Sequence, residues 1–176
     1  MFREEYRAVA DAAVLKYEFL KSNPFGYFVA CVLAGMYIGF GVLLAALYRL
    51  TGLGTDAVGA FMASGAAAKM AASPSALFVR GILCNMLVCI AVWCGFRCKS
   101  ESGKLIMIFW CLLAFFTTGF EHSVANMTLL SYALMNPMGQ AVTLGGWLYN
   151  LAFVTLGNMV GGIVFVGVPY MLIQKK

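Results

Sequence analysis

The sequence predicts an all-α integral membrane domain, and three observations predict it. Of the 176 residues, 62% are hydrophobic and only 11% are charged, with a mean hydropathy of +0.88; an ordinary soluble domain has about 45–50% apolar and about 25% charged residues. Charge-free runs such as Phe25–Tyr48 and Trp147–Ile173 exceed the roughly 20 residues a helix needs to cross a hydrocarbon core. Lysine and arginine also crowd into alternate connecting segments, as the two sides of a membrane demand. This composition speaks against intrinsic disorder, a disulfide-stapled secreted module and a nucleic-acid-binding domain, none of which could solubilise so much apolar surface. The net charge of +5 then reflects where loops sit rather than an acidic partner.

Residues 1–22 place Phe2, Tyr6, Val9, Ala13, Tyr17 and Leu20 at steps of three and four with charges mostly between them, the pattern of an amphipathic helix at the membrane surface. Glu4, Glu5, Asp11 and Glu18 argue against a signal peptide. Asn23-Pro24-Phe25-Gly26 breaks that helix, and 25–48 is the first span, with Gly35, Gly39 and Gly41 near one face for close helix contact. Residues 49–75, Ala-rich and carrying Arg49, Asp56 and Lys69, read as a connection with a short surface helix ending at Ser73-Pro74-Ser75. The second span is 76–96, containing Arg80 and Asn85, followed by a loop with Arg97, Lys99, Glu101 and Lys104.

The stretch 105–134 is too long for one straight span, and Thr117–Ser123 interrupts it. A broken helix fits, since irregular backbone at membrane depth survives only when buried in protein or lining a watery cavity. Asn136-Pro137-Met138-Gly139 ends its second half, and 147–173 is the last span, with Asn158 inside it. The expected unit is a single membrane domain over 1–176. With the N-terminus cytoplasmic, nine Lys and Arg residues, Lys175 and Lys176 among them, fall inside and three (Arg49, Lys69, Arg80) fall outside, so both termini are expected in the cytoplasm. Asn23–Gly26 and Asn136–Gly139 form a short internal echo, either chance or the trace of a repeat.

His122 is the only histidine and follows Glu121 in the break. An ionisable group at membrane depth costs about 2.5–3.5 kcal/mol on insertion scales, so it marks a functional candidate, and imidazole exchanges a proton near neutrality. The plainer reading is an exterior turn between two short spans. Asn85 and Asn158 act either as interhelical glue or as amides offered to a ligand or a broken-helix end. Asn126 lies four residues after His122, on the same face of a helix starting there. Lys69 is either a vestibule cation or a solvated loop lysine. The six cysteines, Cys31, Cys84, Cys89, Cys94, Cys98 and Cys111, form no CxxC pair and read as apolar fillers. There is no phosphate loop, paired carboxylate or metal-ligand cluster, so neither enzymatic activity nor a cofactor is expected.

These motifs resemble those of the formate/nitrite transporter family. Gly119-Phe120-Glu121-His122-Ser123-Val124-Ala125-Asn126-Met127 resembles the family signature, Arg80-Gly81-Ile82-Leu83-Cys84-Asn85-Met86-Leu87-Val88-Cys89 a second block, and Thr155-Leu156-Gly157-Asn158 the last helix. The stretch Cys84–Thr128, with Trp110-Cys111-Leu112-Leu113-Ala114-Phe115 in its middle, is most similar to the nitrite-channel branch. The resemblance implies an aquaporin-like fold with inverted repeats, assembled as a homopentamer with one pore per protomer in the bacterial inner membrane. It makes His122 the central pore histidine with Glu121 its structural neighbour, Asn85 a support of the pore region, and Asn126 and Asn158 neighbours of the broken helices. Lys69 becomes the outer-vestibule lysine, and Phe115 part of an apolar constriction. Family members carry six spans, and the second and third, with a Leu-Phe-Thr-Gly-Asn motif and a Gly-Asn pair, are missing between the first span and Lys69; four remain. The implied function is a channel for small monovalent anions of weak acids, nitrite and formate, with hydrosulfide carried in the wider family. A truncated, non-conducting subunit that modulates full-length channels is the alternative.

Overall fold

The structure, a computed structural model, describes residues 3–51 and 56–174. Phe2, Lys175 and Lys176 of the sequence reading lie outside the described residues. Eight α-helices and one π-helical turn account for most of the chain, with no strand among the described residues.

Helix α1 (Arg3–Ser22) buries none of its residues. Glu5 reaches Arg97 at 2.8 Å, and Tyr6 and Val9 face an apolar cavity of about 240 Å³ that Trp93 and Tyr170 also line. Helix α2 (Pro24–Leu50) begins almost at once, because only Asn23 leaves the helical state. Its Oδ1 accepts from the Gly26 N–H at 2.9 Å, and Pro24 sits in the first turn, where its missing N–H costs nothing. The echoing Asn136–Gly139 does different work: it ends a helix, and Met138 (φ 49°) and Gly139 (φ 78°) turn the chain. Gly35 and Gly39 of α2 lie against Val124 and Thr128, the close helix approach their spacing predicts; the surroundings of Gly41 lie outside the described residues.

Helix α3 (Asp56–Ala71) corrects the reading of 49–75 as a surface connection. It buries Gly59, Met62, Ala63, Ala66 and Met70, and Ala66 and Met70 join Leu130 and Ala133 in one core cluster. The buried stripe is built largely of alanine and glycine, whose weak hydropathy hides a helical period. Helix α4 (Pro74–Arg97) is capped by Ser73, whose Oγ accepts from the Ala76 N–H at 3.3 Å. Helix α5 (Glu101–Thr117) follows after a turn over 98–100, so Glu101 and Lys104, expected in a loop, form an ion pair of 2.7 Å in its first turn. Helices α6 (Ser123–Met135), α7 (Leu144–Gly162) and α8 (Val168–Gln174) complete the chain, with the π-helical turn Ile163–Gly167 joining the last two. Pro169 supplies the cause of that turn: its ring clashes with the carbonyl four residues back and it offers no N–H, and one wide turn relieves both.

The α4–α7 contact is the most extensive in the structure, and small residues set its distance. A Cβ on Gly157 would fall on the Phe78 carbonyl oxygen, and one on Gly161 on that of Ile82. Two helical segments among the described residues, Pro74–Arg97 and Leu144–Ile173, are long and apolar enough to cross a membrane.

Candidate functional site

The interruption between α5 and α6 is built by local chemistry. Gly119 takes φ +69°, the left-handed conformation that ends a helix, so the Gly119 N–H reaches the Phe116 carbonyl at 3.2 Å and the Phe120 N–H reaches that of Phe115 at 3.1 Å. These two bonds satisfy carbonyls that a helix end leaves unpaired. His122 then caps α6, its Nδ1 accepting from the Ala125 N–H at 3.3 Å. That bond leaves the proton of the neutral ring on Nε2. Gly119→Ala, which places a Cβ in the left-handed region, is expected to cost about 1–2 kcal/mol, read as a lowered melting temperature in detergent.

Glu121 is 1% exposed. A buried carboxylate has to be paired and hydrogen-bonded, and α3 and α6 supply the partners. Lys69 of α3 places its ammonium 2.9 Å from Oε2. Asn126 of α6 donates to the same oxygen at 2.6 Å, and its Nδ2 also donates to Asn150 Oδ1 of α7 at 2.9 Å. Asn150 in turn donates to the Lys69 carbonyl at 3.0 Å. The backbone of the break is tied down separately by Asn158, which donates to the Glu121 carbonyl and to the Gly81 carbonyl, both at 2.9 Å, and accepts from the Ser123 N–H at 3.0 Å. Asn85 donates to the Asn158 carbonyl at 2.6 Å.

In front of this network lies a cavity of about 190 Å³, with Lys69, Phe115, His122, Asn126 and Leu129 in its wall. The Phe115 ring stacks near His122, with centroids 5.7 Å apart and planes 24° apart. The structure thus brings together all seven residues singled out in the sequence, in two layers: His122, Phe115, Lys69 and Asn126 at the cavity, Glu121, Asn158 and Asn85 behind it. Lys69 is no solvated loop lysine; it is helical and ion-paired. Asn85 and Asn158 join α4 to α7, and Asn158 also holds the backbone between α5 and α6.

Sequence reasoning passed over Asn150, which is 0% exposed. The signal was available: like Asn158 it is an amide inside an otherwise apolar run, two turns earlier on the same helix. Ser123 and Tyr149, whose hydroxyl donates to the Ala72 carbonyl at 2.9 Å, were also passed over. Among the described residues no group of three or more His, Cys, Asp or Glu side chains is placed to hold a metal ion, and all six cysteines are unbridged, with Cys84 and Cys111 buried.

The family model for formate/nitrite transporters matches residues 43–172. The chain is 46% identical over 111 residues to the nitrite transporter NirC of Salmonella typhimurium, covering 63% of this chain and 41% of that one. It is 42% identical over 138 residues to the uncharacterized transporter YwcJ of Bacillus subtilis (78% and 54%), and 38% identical over 160 residues to a probable formate transporter of Methanothermobacter thermautotrophicus (85% and 54%). The chain spans 41–54% of the length of these relatives. Among solved structures, an FNT family ion channel superposes with a TM-score of 0.84 at 27% identity, over 98% of this chain and 99% of that one. A pentameric formate channel with formate bound superposes with a TM-score of 0.63 at 30% identity, over 81% and 61%. A family match over most of the chain, joined to channel folds and to long apolar helices, leads to one conclusion: the chain belongs to the formate/nitrite transporter family, whose members are integral membrane proteins.

Proposed function

We propose that this chain lines the pore of a channel for small monovalent anions of weak acids, nitrite first and formate second, with His122 mediating protonation of the anion. The chain acts as a single membrane domain of four spans: α2, α4, the pair α5 and α6 broken at membrane depth, and α7 with α8. Both termini lie in the cytoplasm of a bacterial cell, and the working unit in the inner membrane is a homopentamer. Similarity to NirC and to the formate-bound pentamer supports the cargo and the pentamer, and the distribution of Lys and Arg supports the orientation.

The observation that carries the reading is a histidine capping a helix inside an apolar, aromatic-walled cavity, with a paired ammonium beside it. An anion entering that cavity loses its water, which is prohibitive for the charged form and mild for the neutral acid. Donors compensate it on arrival: the positive N-terminal end of α6 favours negative charge, and the ammonium of Lys69 offers N–H groups beyond the one held by Glu121. His122 faces the anion with Nε2–H, and it acts as the acid once it has taken a second proton from water on the entry side, returning from imidazolium to the neutral ring as the anion is protonated. Once protonated, the acid passes Phe115 as a neutral molecule, and the ring takes its next proton from water on the side the anion entered, so one proton crosses with each anion.

Uptake into liposomes tests this. Nitrite and formate uptake is expected to fall more than about tenfold, to the level of empty vesicles, in His122→Ala, consistent with the 10²–10⁴-fold contributed by a positioned acid–base group. Chloride, whose acid is too strong to form in the pore, is not carried. Uptake that ignores His122→Ala contradicts the mechanism. A folded chain that carries neither anion would favour the modulatory-subunit reading.

A further inference from the structure

Asn150 sits behind the cavity wall rather than on it, yet its amide joins two residues that do line the cavity. Its Nδ2 donates to the Lys69 carbonyl at 3.0 Å and its Oδ1 accepts from Asn126 at 2.9 Å. A backbone carbonyl can only accept, so the Lys69 carbonyl fixes which way the Asn150 amide faces. Asn150 then turns its oxygen toward Asn126, and Asn126 has to answer with its NH₂ group. The second hydrogen of that group goes to Glu121 Oε2, at 2.6 Å. Polarity therefore runs in one direction from the last turn of α3 to the carboxylate, each link fixed by the one before it.

The same residue positions the ammonium. The last carbonyls of α3 have no partner within the helix; Asn150 takes that of Lys69, and the adjacent Tyr149 takes that of Ala72, the residue just past the helix, at 2.9 Å. Helix α7 thereby pins the end of α3 from which Lys69 reaches Glu121.

We propose that Asn150 is a positioning residue for anion passage: it sets the amide polarity that presents a donor to Glu121 and holds the Lys69 ammonium against that carboxylate. The cavity beside His122 then contains a neutralised pair instead of a loose ammonium. Without Asn150 the Asn126 amide loses its second anchor and the Lys69 carbonyl its clamp to α7, so the donor to Glu121 is held less firmly and the end of α3 that carries the Lys69 ammonium is freer to leave the carboxylate. This inference rests on the channel reading of the site, and its test has one arm that does not.

The purified protein is assayed for nitrite uptake in liposomes as wild type, Asn150→Leu, Asn150→Asp, Glu121→Gln, the double variant Asn150→Leu with Glu121→Gln, and Val154→Ala, a buried control one turn along α7. In parallel, acylation of Lys69 by a water-soluble amine reagent is read by mass spectrometry. Asn150→Leu is expected to raise the half-saturating nitrite concentration, and the rate of Lys69 acylation, by about tenfold each, the size expected for losing buried hydrogen bonds. In the Glu121→Gln background the same substitution changes both by less than about twofold, because coupled residues are non-additive. Val154→Ala moves neither. Asn150→Asp keeps the acceptor toward Asn126 but sets an oxygen against the Lys69 carbonyl; it is expected to raise Lys69 acylation as well, and it carries the test where the leucine variant does not fold. Lys69 acylation unchanged in the folded Asn150 variants, or effects that multiply with those of Glu121→Gln, would overturn the proposal. Wild type and His122→Ala assayed alongside separate the two ideas: no nitrite uptake by the folded wild type sinks the channel reading, uptake indifferent to His122 sinks the protonation mechanism, and in either case Lys69 acylation still judges Asn150.

Discussion

Glu121→Leu is expected to destabilise the protein by about 3–5 kcal/mol, the range for removing one partner of a buried ion pair. The carboxylate is 1% exposed and meets Lys69 at 2.9 Å and Asn126 at 2.6 Å. With leucine in place, the ammonium faces an apolar wall, and Asn126 keeps a hydrogen with no acceptor. The loss is larger than for a surface pair, worth about 0–1 kcal/mol, because water reaches this position poorly. Glu121→Gln retains an oxygen for Asn126 and most of the volume, and its cost is expected to be less than half as large. Thermal unfolding of the two variants in detergent checks the order; equal melting temperatures for wild type and Glu121→Leu would remove the network from any account of stability.

The second large effect is expected at Gly157. The backbones of α4 and α7 approach until a Cβ there would overlap the Phe78 carbonyl oxygen and lie 3.1 Å from the Gly81 Cα. Backbone cannot swing aside as a side-chain tip can, so Gly157→Val has to separate the two helices, at a cost of about 3 kcal/mol or somewhat more, the upper part of the range for overpacking. The damage does not stop at the contact. Asn158, the next residue, ties the break to α4 through the carbonyls of Glu121 and Gly81, so the variant is expected to lose folded protein on size-exclusion chromatography and, where it persists, to lose His122-dependent uptake. Gly65, with nothing within 4 Å of a Cβ built on it, is the control, and Gly65→Ala is expected to behave as wild type.

What the sequence disclosed follows what hydropathy can register. Long apolar runs with Pro, Asn and Gly between them lie within a few residues of α2, α4, α5 and α6, and the run 147–173 takes in α7, the π-helical turn and α8 as one, because in those segments the signal is the absence of charge and needs no period. Helix α3 was read as a connection since three of its five buried residues are Ala or Gly, which pack closely while adding little hydropathy. Pro169 was passed over inside the charge-free run 147–173, and the structure shows the π-helical turn that precedes it. At the site, His122 and Glu121 stood out as ionisable groups inside a long apolar stretch. Lys69 looked like a loop residue as long as α3 looked like a loop, and its pairing with Glu121 spans 52 positions of sequence that no local pattern connects. Asn150 was legible in principle by the rule that flagged Asn158, as an amide in an apolar helix, but its partners lie on α3 and α6, and its importance is a property of the three-helix junction.

The most direct measurement of the central claim records nitrite uptake and internal pH together in liposomes at zero membrane potential. Passage as the neutral acid predicts internal acidification in step with nitrite, one proton for each anion, and the loss of both signals in His122→Ala. Nitrite entering without acidification, while building an electrical potential that stops it, would show that the bare anion crosses and would contradict protonation at His122.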